Sequence, residues 1–212
     1  MKSMHFLETS FTQEMSVRSS HQLVEDDVMI GIVLAGGQSR RFGSTKAFAM
    51  YNGKCFYEYA ITALAPHCSQ IVVVARKEDV NRFPSTLHIV TDLQEFAGQG
   101  PLAGILTGMN TIQSDWYAVL PCDVPFADDS IIRKLMNHRT GNLSVAIEEI
   151  GKCHPLLSIW SKGAEPMIRS SLEMENRSVR PLIHHWVDGQ VLLEKKPSLF
   201  DNVNKPGQLE GR

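Results

Sequence analysis

This chain has almost no charge imbalance, few cysteines and no long apolar run, and each shortage excludes a class of function. Lys and Arg number 21 against 23 Asp and Glu, a formal net charge of −2. That balance builds no broad basic face, so nucleic acid is not an expected partner. No apolar stretch approaches the ~20 residues of a membrane-spanning helix, so no membrane partner is expected either. The four cysteines, Cys55, Cys68, Cys122 and Cys153, never stand as C-x-x-C. Zinc-ligand and dithiol-redox spacings are therefore missing, and reduced, mostly buried thiols in a cytoplasmic chain are the expectation. Two common phosphate-binding signatures are missing as well. Gly43 is separated from Lys46 by Ser44 and Thr45, with no hydroxyl residue after the lysine, so there is no P-loop. The G-x-G-x-x-G spacing of dinucleotide-binding folds is also absent.

What is present is a chain of 212 residues, 43% of them hydrophobic, enough for the core of one ordinary α/β domain. Residues 1–27 are polar and Ser-rich, lack periodicity, and are predicted to form a flexible N-terminal extension ahead of a single domain over 28–212. From Val28 onward strand and helix patterns alternate. Buried strands are predicted over Val28–Leu34, Ile71–Val74, Leu87–Val90 and Trp116–Leu120. Helices are predicted over Cys55–Leu64, from Pro101 through Met109, and over Ser130–His138 with Asp128 or Asp129 as cap. The remainder predicts strands at Leu143–Glu148 and Leu156–Trp160, then helices at Gly163–Leu172 and Val179–Trp186. Short strands at Val191–Glu194 and Leu199–Phe200 would close the chain. This alternation predicts an α/β fold with a three-layer, mainly parallel sheet, in which ligands sit at the C-terminal ends of the strands.

The segment most informative about function follows the first strand. It reads Leu34-Ala35-Gly36-Gly37-Gln38-Ser39-Arg40-Arg41-Phe42-Gly43-Ser44-Thr45-Lys46. Small residues let backbone N–H groups approach a ligand, and the following cations suit phosphate, so a nucleoside triphosphate is the expected guest. Lys46 and one of Arg40 and Arg41 are the candidate phosphate contacts. Two further loops fall at the same edge. Asp92 with Gly98 and Gly100 offers a carboxylate to a base or ribose hydroxyl, or else a loop cap. Asp123, beyond the strand Trp116–Leu120, is either a Mg²⁺ ligand completed by waters and phosphates or a turn residue before Val124-Pro125. Cys122 reads as packing. His184 and His185 point about 100° apart on a helix and share no metal. His154 either faces the second substrate or serves the strand, and Arg169, Arg177 and Arg180 form either a basic surface or solvated helix charges.

The loop Leu34–Lys46 resembles the signature of the molybdenum cofactor guanylyltransferase family. So do Gly100-Pro101-Leu102-Ala103-Gly104-Ile105, Leu120-Pro121-Cys122-Asp123-Val124-Pro125, and Phe200-Asp201-Asn202-Val203-Asn204-Lys205-Pro206. The four motifs stand in the family's order, and Phe42 replaces a common Met. The resemblance implies a Rossmann-like sheet of the nucleotidyltransferase type and transfer of GMP from GTP to the molybdenum–pterin cofactor with release of pyrophosphate. It implies Leu34, Ala35 and Gly36 on guanine and ribose and Lys46 on phosphate, with Gly37 and Arg41 as further GTP-binding candidates. Asp92 would bind the nucleoside, Asp123 the Mg²⁺ and GTP phosphates, and Asn202 and Asn204 the pterin cofactor. Lys46 and Asp123 would carry the chemistry. Cofactor insertion proteins and molybdoenzymes are the implied downstream partners. Three other readings stand beside it: a cytidylyltransferase acting on the same cofactor or a sugar-like phosphate, a non-catalytic nucleotide-binding regulator, and a non-catalytic carrier of the cofactor. Arg76 and Lys77 follow Ala75 where the family often has Asn, so no nucleoside contact is carried over there.

Overall fold

The computed structural model describes residues 28–37, 45–149, 151–196, 198–204 and 206–209. The expected N-terminal extension and the candidate residues Arg40 and Arg41 lie outside the described residues.

Seven strands form one sheet. They are β1 (Met29–Leu34), β4 (Gln70–Val74), β5 (His88–Val90), β6 (Trp116–Pro121), β7 (Ser144–Glu149), β8 (Lys152–Ser161) and β9 (His185–Asp188). A separate two-stranded ribbon pairs β2 (Met50–Tyr51) with β3 (Lys54–Cys55). The order across the large sheet is β5-β4-β1-β6-β8-β7-β9. Only β8 runs antiparallel to its neighbours, β6 and β7. The parallel strands are apolar because both faces are covered. In β1, Met29 and Val33 pack on one side, with α1 (Phe56–Leu64) and α3 (Asp129–Met136). Ile30 and Ile32 pack on the other, with α2 (Pro101–Thr111) and α4 (Glu165–Glu173). The outcome is the expected three-layer, mostly parallel α/β architecture.

The first half of the chain follows the predicted elements closely, and Asp128 rather than Asp129 caps α3, accepting from the Ser130 amide at 3.0 Å. The C-terminal quarter departs from them. The helix expected over Val179–Trp186 is instead a single 3₁₀ turn, Arg180–Leu182, followed by β9. Pro181 suits the first turn of a helix but has no amide to extend one. Beyond it, Ser144 Oγ donates to the Leu182 carbonyl and accepts from the His184 amide, which delivers the chain to the edge of β7. His185 thus opens β9, with His184 just before it, and the His185 ring stacks on His138 at 6.0 Å. The strand expected over Val191–Glu194 is part of helix α5 (Gln190–Lys195), whose first amide donates to Asp188 Oδ1. Leu199–Phe200 is a turn, with both side chains buried in the core.

His154 is a structural residue, not a surface facing the second substrate. It is 7% exposed, packs on Phe200 and lies 3.2 Å from Glu149 Oε1. Burial pushes its pKa below the ordinary imidazole value and outweighs the opposing pull of Glu149. The unfolded chain therefore binds more protons than the folded one as pH falls through about 6.5, the ordinary imidazole pKa, and this contribution to stability is lost on the acid side. Thermal unfolding of wild type should weaken from pH 7.5 to 5.5 more steeply than that of His154→Gln, measured by circular dichroism.

Candidate active site

The connections set the site. From β1 the chain moves outward through β4 to β5, then returns to the other side of β1 as β6. The strand order thus reverses between β1 and β6, and a crevice lies at the carboxyl ends of these two strands, where ligands of open α/β sheets bind. The Ala35 amide donates to the Val74 carbonyl at 2.8 Å, and the Cys122 amide to the Leu34 carbonyl at 3.1 Å. These bonds hold the start of both loops in register with the sheet.

A cavity of about 430 Å³ opens there. It is lined by Leu34, Ala35, Gly36 and Gly37 after β1, by Lys46, by Asp92 after β5 and by Asp123 after β6. The described residues expected on the nucleotide thus stand around one space, although they span almost ninety positions of sequence. The Lys46 ammonium lies 3.1 Å from Asp123 Oδ2 and donates to Asn204 Oδ1 at 2.6 Å. Asn204 reaches it because the Val203 amide donates to the Asp123 carbonyl at 2.8 Å and the Val203 side chain is buried beside Ala49 and Phe56. Asn202 is exposed in the same segment.

Asp92 is half-buried and accepts from the Gly98 amide at 3.1 Å. Burial raises its pKa, with the Gly98 bond opposing. A carboxylate so poorly hydrated gains from any further donor, which a nucleoside supplies. Cys122 is buried, and burial beside Asp123 pushes its thiol up to about 12, so it stays protonated and is no nucleophile. Asp123 presents hard oxygen donors beside the Asn204 amide oxygen, a donor set suited to a divalent ion that takes one or two carboxylates and completes its shell with water and phosphate. Among the described residues no group of three or more His, Cys, Asp or Glu side chains could hold a metal ion. Asp123 therefore fits a magnesium ion shared with a phosphorylated substrate and does not fit a caged structural metal.

Leu156 and Gly104 line the cavity as well; Leu156 gave no sequence signal, and Gly104 stands in the motif Gly100–Ile105. Leu156 reaches the cavity at an irregularity in β8, where the register against β7 jumps from Ala146–Ser158 to Ile147–His154. Pro155 lies in that jump and has no amide for the ladder. Gly104 lines the cavity from α2, and a Cβ there would stand 2.8 Å from Leu34 Cδ2. Arg169, a candidate for a basic surface, is instead paired with Glu95 at 2.6 Å and lies over the Phe96 ring. Arg177 and Arg180 are exposed.

The fold and crevice are those of a nucleotide-binding α/β transferase, and comparison with known proteins narrows this. Residues 31–190 match the model of the MobA-like NTP transferase domain. A probable molybdenum cofactor guanylyltransferase of a Geobacillus species is 35% identical, over 86% of this chain and 96% of its own. One from Bacillus cereus is 34% identical, over 82% and 90%. Among solved structures, molybdopterin-guanine dinucleotide biosynthesis protein A from Archaeoglobus fulgidus superposes with a TM-score of 0.71 at 22% identity, covering 86% of this chain and 95% of that one. A 4-diphosphocytidyl-2C-methyl-D-erythritol synthase from Anaerococcus prevotii reaches 0.65 at 13%, covering 86% and 93%, a likeness of fold alone. This chain belongs to the MobA-like NTP transferase family. Among the described residues no helix is long and apolar enough to cross a membrane.

Proposed function

We propose that this protein transfers GMP from GTP to the molybdenum–pterin cofactor and releases pyrophosphate. The observation that carries the reading is the Lys46–Asp123 pair at the switch point, in a chain 35% and 34% identical to relatives named probable molybdenum cofactor guanylyltransferase. The nucleophile is the terminal phosphate of the pterin cofactor, already anionic at neutral pH, so no general base is required. The obstacle is bringing one anion to another. Lys46 and the backbone amides after β1 offset that repulsion and stabilise charge on the departing pyrophosphate. A magnesium ion on Asp123 would add further charge neutralisation at the α-phosphate. Leu34, Ala35, Gly36 and Gly37 hold guanine and ribose, Asp92 accepts from the nucleoside, and Asn202 and Asn204 face the pterin. Arg41, outside the described residues, is a further phosphate contact. Simultaneous binding of both substrates supplies much of the remaining acceleration. The product would pass to cofactor insertion proteins and molybdoenzymes in the cytoplasm.

The test uses purified protein, molybdenum–pterin cofactor and α-labelled GTP, CTP or ATP, with and without chelator. Label should enter the dinucleotide from GTP in preference to CTP, pyrophosphate should appear in equal amount, and chelation of magnesium should stop both. Preference for CTP would replace the guanine reading with a cytidylyl one. Tight retention of the pterin without release of pyrophosphate would make the protein a carrier.

A further inference from the structure

Lys46 carries the proposed phosphate contact, and beyond the bonds of its ammonium to Asp123 and Asn204 the backbone around it is also held. Thr45 immediately precedes it and is 7% exposed. Its hydroxyl sits 3.2 and 3.1 Å from the two carboxylate oxygens of Asp79. Asp79 is itself 2% exposed, on the 3₁₀ turn Lys77–Arg82 after β4. A carboxylate that deep in the protein requires charge partners, and two are present. Arg76 donates through Nε at 2.8 Å and Nη2 at 2.7 Å to Asp79 Oδ2, and Arg82 Nη1 donates to Oδ1 at 2.8 Å. Arg76 Nη2 also donates to the Thr45 hydroxyl at 2.6 Å. The hydroxyl is therefore bonded on both sides, donating to a carboxylate and accepting from a guanidinium.

The same group grips the residue on the far side of Lys46. The Arg82 guanidinium lies 3.8 Å above the Phe48 ring, which packs on Phe83 at 4.6 Å and Tyr57 at 5.8 Å. Lys46 thus stands in a 3₁₀ turn, Lys46–Phe48, whose preceding residue is hydrogen-bonded to a buried ion pair and whose last residue is stacked under one arm of it. None of these four polar side chains lines the cavity. Burying an aspartate beside two arginines and a threonine is a costly way to cover one corner of a fold, and it secures backbone on both sides of one cavity lysine.

We propose that the Thr45–Asp79–Arg76–Arg82 cluster positions Lys46, with Thr45 as the positioning residue through which the ion pair acts. The geometric part concerns where the lysine stands; its effect on catalysis rests on the nucleotidyltransferase reading. Thr45→Val is the informative variant. It removes the hydroxyl, keeps the volume, and leaves Asp79 still paired with both arginines, so the fold is retained. Thr45→Ser restores the hydroxyl and serves as rescue.

Two measurements separate the parts. The first is competitive acetylation of lysines in the substrate-free protein, read by mass spectrometry. Lys46, held by Asp123 and Asn204, should be protected in wild type and Thr45→Ser, and several-fold more reactive in Thr45→Val. The second is steady-state transfer. In Thr45→Val, kcat should fall about tenfold to a hundredfold, the scale of misplacing a reactive group by about 1 Å. In a Lys46→Ala background, Thr45→Val should have no further effect, because a residue that acts only through another contributes nothing once that other is gone. Unchanged acetylation of Lys46 in Thr45→Val overturns the proposal whatever the activity. So does a loss that simply multiplies that of Lys46→Ala, the behaviour of a merely structural residue. Raised reactivity together with a wild type that transfers nothing from GTP upholds the positioning of Lys46 and refutes the functional reading instead.

Discussion

Asp123→Ala should abolish nucleotide transfer while leaving the fold intact. Its carboxylate is the proposed site for both the metal ion and the compensating charge of Lys46, at the carboxyl end of β6 beside β1. Removing one preorganised charge-stabilising group from a closed site costs about 10²–10³ in rate. Removing a metal ligand and a lysine partner together should reach about 10³ or more, equivalent to roughly 4 kcal/mol. Stability should change little. Asp123 is partly exposed, and Lys46 retains the Asn204 amide oxygen when the carboxylate is gone. Transfer assays beside thermal unfolding would separate the two effects. Activity within tenfold of wild type would remove Asp123 from the chemistry.

Gly108→Ala should be the most damaging small change to the fold. On an exposed helix this substitution stabilises, by about 1 kcal/mol. Here α2 lies so close to β1 that a Cβ would stand 2.5 Å from Ile32 Cδ1, 2.7 Å from Cγ1 and 2.9 Å from Cγ2. Ile32 is wholly buried in a central strand, so it has nowhere to swing. Overpacking of this kind costs about 1–3 kcal/mol. A net loss near the upper end, read as a drop in Tm, is expected, since the ring of atoms met belongs to a β-branched side chain with one favoured rotamer. An unchanged or raised Tm would mean that α2 can ride outward from the sheet. The helix sets the cavity wall through Gly104 and Pro101, so such movement should also weaken nucleotide binding.

What was legible in the sequence followed from periodicity and local chemistry. The apolar run before Leu34 and the small residues after it located strand, loop and crevice together. Pro101 marked the start of α2, and Asp123 stood where a strand ran out. The ribbon β2–β3 has a local signature of its own. Asn52-Gly53 joins its strands with φ of 44° and 80°, the geometry of a two-residue hairpin that this dipeptide favours. The C-terminal quarter was misread because its apolar stretches are only three or four residues long. At that length helix and strand patterns coincide, and the choice fell to Ser144 and Asp188, whose bonds are tertiary or backbone-local. Leu156 was hidden by the register jump in β8. The Thr45–Asp79 contact was hidden by distance, since it joins residues 34 positions apart with no periodic trace.

The bond between Lys46 and Asn204 spans 158 positions. During synthesis, the sheet's first six strands in chain order can begin to pair while Asn204 has yet to be added, so a nascent chain acquires the loop after β1 well before it acquires the group that steadies the lysine. The residues that line the cavity, the last of them Leu156, are therefore all made before that group. On the proposed function, a partly made chain that has already folded most of its sheet would offer the nucleotide a lysine that Asn204 does not yet hold.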